Sequence, residues 1–340
     1  MTETPMPSVG TASLRHIVIL ATGGTIAGAA DLRSQAGYNA GQISADQLLA
    51  AIPGIGQRAR ISLERVAAIG SQDMNEAVWF DLARRAEALL KRENVDGIVI
   101  THGTDTLEET ALFLDLVLPR SRPVVLVGAM RPATALSADG PLNLMEAVTV
   151  AGAPQSAGRG VLVVLNDTIH SAADGTKTST TAIETFASPN RGPVGRVTLA
   201  GARFFHSVGP ALEPYGLPAR PPLPQVRIVP AHAGMDERDI ASALSHGARG
   251  IVLAGVGGGN ASSAALSALA RAVAGGVAVV RASRVGSGAV LRNIEVNDDA
   301  HGFVASGFLT PAKARVLLQI LLANGVSHPD ALQAGFDRIG

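Results

Sequence analysis

The chain has 340 residues, enough for about two domains with a substantial buried core. Its 28 basic and 28 acidic side chains balance, so the charge gives no reason to expect nucleic acid or an anionic membrane as a partner. The absence of cysteine excludes disulfides, thiolate metal sites and a cysteine nucleophile. No apolar run approaches the roughly 18 residues of a membrane span, and residues 1–13 lack the features of a signal peptide. We expect a soluble cytoplasmic protein, with periplasmic residence only if a signal peptide has been removed.

Short apolar runs typical of strands alternate along the first half with longer patterns typical of helices. The predicted strands are residues 16–21, 61–69, 97–101, 124–127 and 160–165, and the predicted helices are residues 44–52, 75–92, 106–118 and 141–151. This alternation predicts an α/β fold whose mostly parallel sheet is flanked by helices. Thr106 with Glu109 three residues later matches a capping box, which predicts the start of the third helix.

Six prolines between residues 210 and 224 interrupt this pattern and predict a semi-rigid linker over 210–225. The linker separates a larger N-terminal α/β domain, residues 14–209, from a smaller C-terminal α/β domain, residues 226–340. Within the smaller domain, the predicted strands are residues 226–229, 250–253 and 277–280, and the predicted helices are residues 237–246, 262–273 and 311–322.

Polar clusters follow three predicted strands, at residues 22–25, 71–73 and 101–105. In parallel sheets ligands bind outside the carboxyl ends of the strands, so the three clusters together predict a site at this edge. The first cluster has paired glycines between Thr22 and Thr25, and glycines let the backbone turn sharply and approach a ligand closely. On its own, it fits a structural turn with surface threonines as well as it fits a catalytic loop.

The third cluster leads into the predicted helix at residue 106, where backbone N–H groups favour developing negative charge. Capping accounts for Thr106 and Glu109, but it does not account for Thr104 and Asp105, which favours a functional role for that pair.

Lys177 lies within the polar run 167–181, where a solvated lysine is the simpler interpretation. A buried lysine with a lowered pKa could, however, act as the base that a threonine nucleophile needs. His102, His170 and His206 lack the spacing of metal ligands, so no metal site is expected.

Residues 255–260 come within one residue of a dinucleotide-binding fingerprint, which raises the alternative of an NAD-linked oxidoreductase. That alternative needs an acidic residue about twenty positions later, at the end of the next strand. The next strand instead runs into residues 281–284, which contain no carboxylate.

Taken together, residues 22–28 and 100–110 resemble the bacterial-type L-asparaginase/glutaminase family, and the likeness is closest to its type II branch. It covers nearly the whole chain from about residue 16. The match continues through residues 69–75, 127–132, 137–141, 166–168, 283–285 and 302–307.

The resemblance implies an amidohydrolase that converts L-asparagine to L-aspartate and ammonia without metal or cofactor. Thr25 would attack the side-chain amide and form an acyl-enzyme. Tyr38, on a mobile loop, would help to deprotonate Thr25. Thr104, Asp105 and Lys177 would form a second proton relay for Thr25 or the attacking water.

The resemblance also implies how the substrate is bound. Ser71 would hold the α-carboxylate, and the carbonyl of Ala129 would accept the amide nitrogen. Gln72, Asp105 and Glu295 would surround the α-ammonium.

In this family the counterparts of Asn260 and Glu295 belong to the neighbouring subunit, so we expect dimers with shared sites within a homotetramer. The smaller domain would thus contribute to its neighbour's site. Gly258 departs from the family, because type II members commonly have Asn there, and the cysteine pair of some secreted members is absent.

Two further alternatives are a partner subunit of a tRNA-dependent amidotransferase and a non-catalytic amino-acid-binding module. The first calls for a companion chain and usually a tRNA-facing domain, and this chain has neither spare length nor a basic patch. The second would retain Ser71, Gln72 and Asp105 but would not need Thr25. The preference between asparagine and glutamine stays open, because one methylene changes binding by only ~1–3 kcal/mol.

Overall fold

The structure is a computed structural model that describes residues 14–24, 26, 52–209 and 212–340, together with the backbone of residues 29–30 and 38–39. Thr25 lies outside the described residues, and so does the predicted helix at 44–52 except for its last residue.

The N-terminal part is built around an eight-stranded sheet. Its chain contains the strands β1 His16–Gly23, β2 Ala29–Ala30, β3 Tyr38–Asn39, β4 Arg60–Ile69, β5 Gly97–Thr101, β6 Val124–Val127, β7 Val161–Leu165, β8 Thr168–Ser171, β9 Thr176–Lys177, β10 Phe186–Ala187, β11 Gly195–Thr198 and β12 Gly201–Phe204. The helices are α1 Ile55–Arg58, α2 Glu76–Leu90, α3 Leu107–Val117 and α4 Gly140–Ala151.

The strands of this sheet follow the order β12-β11-β8-β7-β6-β5-β1-β4. From β4 to β7 they are parallel, whereas β8, β11 and β12 pair antiparallel at one side. The central strands are buried on both faces, as their continuous apolar runs predict. Alternate residues pack on opposite sides: Ile98 joins the cluster that contains α2 and α3, while Val99 joins the cluster that contains α4.

The C-terminal part has a smaller, fully parallel sheet in the order β13-β14-β15-β16. Its strands are β13 Val226–Pro230, β14 Gly250–Gly255, β15 Ala278–Ser283 and β16 Val304–Ala305. Its helices are α5 Glu237–Ser245, α6 Ser263–Ala274, α7 Asp298–His301, α8 Pro311–Ala323 and α9 Pro329–Ile339.

Helix α8 joins the two parts. It packs against the smaller sheet on one side and against α3 of the larger part on the other. One hydrophobic cluster therefore includes Leu114 of α3, Leu317 of α8 and Val252 of β14. The two sheets share a core instead of meeting at a polar surface.

The predicted α/β fold with a larger and a smaller domain is confirmed. The predicted strands and helices within the described chain match the observed bounds to within two residues, except β15, which ends three residues later than predicted. The prediction missed the short strands β2, β3, β8 to β12 and β16, and the helices α1, α7 and α9. The domain boundaries and the linker at 210–225 stay a prediction. No helix in the described part of the chain is long and apolar enough to span a bilayer.

Candidate active site

The strand order explains why the polar clusters meet, because β4, β1 and β5 are neighbours. At the end of β1 the Gly24 N–H donates to the Ile69 carbonyl of β4 over 3.0 Å. Gly23 and Gly24 have φ values of 109° and 83°, a region that favours glycine. A Cβ on Gly24 would lie 2.3 Å from the nitrogen of Gly103, so only glycine allows these two loops to approach so closely.

Ser71 links the loop after β4 to the start of α3. Its buried hydroxyl accepts the Asp105 N–H over 3.1 Å, and its carbonyl accepts the Thr106 hydroxyl over 2.7 Å. The predicted capping box is therefore wrong: α3 begins after Thr106, but the Thr106 hydroxyl makes no cap bond. The Thr106 hydroxyl donates to the Ser71 carbonyl instead, and the Glu109 carboxylate lies 3.4 Å from the Arg315 guanidinium of α8.

Thr104, Asp105 and Lys177 form one contact group. The Lys177 ammonium donates to the Thr104 hydroxyl over 2.9 Å and to the Asp105 carboxylate over 2.6 Å. Thr104 is buried and the Lys177 side chain is 17% exposed, whereas the Asp105 side chain is 61% exposed. The group thus combines a buried hydroxyl, a shielded amine and a carboxylate open to solvent.

Lys177 is also fixed through its backbone. It lies on β9, where it pairs with Phe186 of β10. Its N–H donates over 3.0 Å to the carboxylate of Glu108, which also accepts the Thr176 hydroxyl. Glu108 lies on the first turn of α3, shortly after Thr104 and Asp105 in the chain. This one segment therefore binds both the backbone N–H and the side-chain ammonium of Lys177.

A buried chain of hydrogen bonds lies behind this edge, and sequence reasoning gave it no role. The His102 ring donates from Nδ1 to the Gly103 carbonyl over 2.7 Å, since a carbonyl can only accept. Its Nε2 then accepts the Thr110 hydroxyl over 2.9 Å, and that hydroxyl accepts the Trp79 indole N–H over 2.8 Å. Burial lowers the pKa of His102 to about 4, so the ring is neutral at pH 7.

Ala129 lies just beyond β6 and is fully buried. The Asp139 carboxylate accepts the N–H groups of Met130 and Arg131, each over 2.9 Å. The Asn143 amide donates to the Gly128 carbonyl over 3.0 Å. These bonds fix the backbone on both sides of Ala129, a role that the sequence did not reveal for Asp139.

The structure brings Asn260 and Glu295 together on the C-terminal part. The Asn260 amide donates to the Glu295 carboxylate over 3.1 Å. Within the described chain neither residue hydrogen-bonds to Ser71 or to the Lys177 group. A Cβ on Gly258 would lie 3.0 Å from the Glu295 carboxylate, so a larger residue at this position would shift the Glu295 side chain slightly.

The remaining predicted residues are placed only in part. The backbone of Tyr38 belongs to β3 and pairs with Ala30 of β2. Gln72 is exposed, and its amide lies 3.4 Å from the Asp73 carboxylate. Among the described residues, no group of three or more histidine, aspartate or glutamate side chains could hold a metal ion.

Two family models match successive parts of the chain. Residues 16–208 match the family model "Asparaginase, N-terminal", and residues 225–336 match "Glutaminase/Asparaginase C-terminal domain". A relative named "Probable L-asparaginase periplasmic" from Haemophilus influenzae is 48% identical over 332 residues, 96% of this chain and 93% of that protein. "L-asparaginase 2" of Escherichia coli is 45% identical over 96% of this chain and 94% of its own length.

A third relative, "Glutaminase-asparaginase" of Pseudomonas fluorescens, is 42% identical over 91% of this chain and 86% of its own length. Both family models and all three relatives thus agree along most of the sequence, which confirms the resemblance that its motifs indicate. The chain belongs to the asparaginase/glutaminase family.

Proposed function

We propose that this chain hydrolyses the side-chain amide of L-asparagine to L-aspartate and ammonia, with side activity on L-glutamine. The observation that carries the proposal is the contact of Lys177 with Thr104 and Asp105 at the edge where β1 ends. The family membership and the names of the relatives, which include both substrates, support it.

In the proposed reaction Thr25 attacks the amide carbon of the substrate and becomes an ester. The Thr25 proton passes to a base, either the Tyr38 hydroxyl or the relay of Thr104, Asp105 and Lys177, and then to the leaving nitrogen, which departs as ammonia. Water next attacks the ester carbon and gives a proton to the relay. The ester C–O bond then breaks, the Thr25 oxygen takes back a proton from the relay, and aspartate leaves. Backbone N–H groups of Thr25 and Thr104 are the proposed donors to the oxyanion.

The amino-acid end of the substrate is proposed to lie over Ser71 and Asp105. Asp105 is well exposed and can face an ammonium, while Ser71 offers its hydroxyl to a carboxylate. Gln72 is proposed to complete the ammonium site, and the carbonyl of Ala129 to accept the amide N–H. The fixed backbone around Ala129 supports a positioning role of this kind.

We further propose a homotetramer built from two dimers, in which Asn260 and Glu295 complete the neighbouring subunit's site. The support is the exposure of three apolar side chains, Val285, Leu291 and Ile294, in the segment that leads to Glu295, of which Ile294 is 71% exposed. Exposed apolar side chains beside a carboxylate are typical of a surface that another chain covers.

The first test is ammonia release from L-asparagine by the purified protein without added metal. The Thr25→Ala variant should lose turnover and keep its binding of L-aspartate. Lys177→Met should lower kcat strongly, whereas the control Lys91→Met, which alters an exposed lysine paired with Glu87, should not. Full activity of Thr25→Ala or of Lys177→Met would contradict its proposed role.

The shared site is tested by mixing inactive variants. Glu295→Ala should weaken substrate binding, and mixed oligomers with Thr25→Ala should recover part of the activity, because one of their sites combines two intact halves. No recovery in verified mixed oligomers would argue against a shared site.

Two finer points are also open to measurement. Kinetics with L-asparagine and L-glutamine side by side decide the preference. The cytoplasm stays the predicted compartment although one relative is named periplasmic, and fractionation of the source cells decides between the two.

A further inference from the structure

A buried lysine of the C-terminal part lies beneath the hairpin that carries Lys177. Lys313 is on the first turn of α8, and its side chain is only 1% exposed. Its ammonium donates to the carbonyls of Ala173 over 3.0 Å and Gly175 over 2.7 Å. Burying an ammonium is unfavourable unless it is hydrogen-bonded, and these two bonds meet that requirement. A buried lysine at this position therefore suggests a role other than filling space.

The two carbonyls belong to the turn that leads directly into β9. Gly175 itself donates to the Ser171 carbonyl over 2.9 Å, and a Cβ at this position would lie 2.7 Å from the Cβ of His170. The turn is therefore closely fitted between His170 on one side and Lys313 on the other. Lys177 follows two residues later, so a shift of the turn would be passed on to it.

Glu108 holds the same segment from the opposite side. Its carboxylate accepts the Thr176 hydroxyl and the Lys177 N–H. Lys313 and Glu108 thus restrain the segment 173–177 between α8 and α3, with bonds to residues 173, 175, 176 and 177.

The charges agree with this arrangement. Burial lowers the pKa of Lys313 to about 8, and the carboxylates of Glu108 and Asp174 oppose this by favouring the ammonium. Asp174 in turn accepts the Arg191 N–H over 3.1 Å, which ties the turn to the loop after β10. At pH 7 the buried ammonium is thus stabilised by two carbonyls and by the nearby carboxylates of Glu108 and Asp174.

We propose that Lys313, acting with Glu108, is a positioning residue that sets the placement of Lys177 against Thr104 and Asp105. The inference rests on the proposed function, in which Lys177 transfers protons. A displacement of about 1 Å in such a group can reduce a rate by up to about 100-fold. The alternative is that Lys313 only ties the two parts of the chain together and affects stability alone.

The decisive experiment compares Lys313→Met and Lys313→Arg with a control on the same helix. Gln319→Met removes a buried side chain that donates to Glu76 and to the Pro224 carbonyl, away from the hairpin. Lys313→Met should lower kcat by about tenfold or more while KM changes less than about threefold, because the chemical step and not substrate binding is affected. Lys313→Arg should recover most of that loss, since its guanidinium can donate to both carbonyls.

Gln319→Met should lower the melting temperature and leave kcat within about twofold of the wild type, because its contacts do not reach the hairpin. If Lys313→Met behaves in the same way, the positioning role is overturned. Should Lys313→Met fail to fold, Glu108→Leu decides, because it frees the Lys177 N–H and is expected to give the same loss of kcat.

A readout that needs no activity separates this inference from the proposed function. Hydrogen exchange of a peptide covering residues 173–178 should become faster in Lys313→Met and Glu108→Leu but not in Gln319→Met. Unchanged exchange overturns the inference even if the enzyme is an asparaginase. Full activity of Lys177→Met, by contrast, overturns the relay whatever the exchange shows.

Discussion

Arg281 provides a test of how the loops with Asn260 and Glu295 are held. Its guanidinium is fully buried on β15 and meets the Asp298 carboxylate at 2.5 and 2.6 Å. It also donates to the carbonyls of Gly258 and Gly259 over 3.0 and 3.2 Å, and to that of Leu291 over 3.3 Å. One side chain therefore joins the loop before Asn260 to the loop before Glu295.

Arg281→Met should lower the free energy of unfolding by about 3–5 kcal/mol, because it leaves the Asp298 carboxylate buried without its partner. That is a large fraction of the total stability of about 5–15 kcal/mol. Adding Asp298→Leu should restore part of the loss, since removing both charges of a buried pair is far less damaging than removing one. KM should rise in both variants, because neither ties the two loops together.

Urea unfolding at pH 7 and at one fixed protein concentration measures the stability of the two variants and the wild type. Fixed concentration matters because assembly contributes to apparent stability. A loss below about 1 kcal/mol in Arg281→Met, or a double variant no more stable than the single one, would refute the reasoning. An unchanged KM in a destabilised Arg281→Met would refute the link from this ion pair to the substrate.

Three further predictions concern the N-terminal part. Gly24→Ala should abolish activity and lower stability by several kcal/mol, because its Cβ would lie 2.3 Å from a backbone nitrogen at a φ of 83°; a wild-type melting temperature would contradict this. Asp139→Asn should lower stability by about 1.5–3 kcal/mol and lower kcat, because Met130 and Arg131 donate to different carboxylate oxygens and one of these becomes an NH2 group that cannot accept; urea unfolding and ammonia release check this. Burial lowers the pKa of His170 to about 4, so the unfolded chain takes up its proton first and stability falls as pH decreases from about 6.5 to about 4. His170→Leu should therefore reduce the stability difference between pH 7 and pH 5 by roughly 2 kcal/mol relative to wild type, and an unchanged difference would show that the ring is not the titrating group.

The parallel core was predictable because strands that are buried on both faces have a recognisable local sequence pattern. The residues of β5, β6 and β7 are continuous apolar runs, and strands covered on both faces require such runs. The polar clusters at the ends of β4, β1 and β5 predicted that these ends share one edge of the sheet, whereas the order of the strands came from the structure. The meeting of Ser71 with the start of α3 could thus be expected without coordinates.

The antiparallel strands were missed for the opposite reason. β8 and β11 lie toward one side of the sheet and are short, with polar and partly exposed residues. The polar run 167–181, which contains β8, therefore resembles a loop in sequence. The misread capping box shows a related limit. The Thr106 hydroxyl has two available partners, its own helix and the distant Ser71 carbonyl, and only the tertiary structure decides between them.

Contacts between distant positions were beyond sequence reasoning altogether. Lys313 binds a carbonyl 138 positions away, and Lys177 reaches Thr104 across 73 positions. Family resemblance suggested the second contact, because it carries roles from one chain to another. It did not suggest the first, and no local pattern marks Lys313 as different from an ordinary surface lysine of a helix.

The core shared through α8 has a consequence for how the molecule comes apart. With Leu114, Leu317 and Val252 in one cluster, neither sheet can open without exposing apolar surface of the other. Heat or urea should therefore melt the chain in one cooperative transition instead of two. A fragment ending near residue 209 would leave the apolar face of α3 uncovered and should aggregate. The N-terminal part therefore depends on α8 for its solubility.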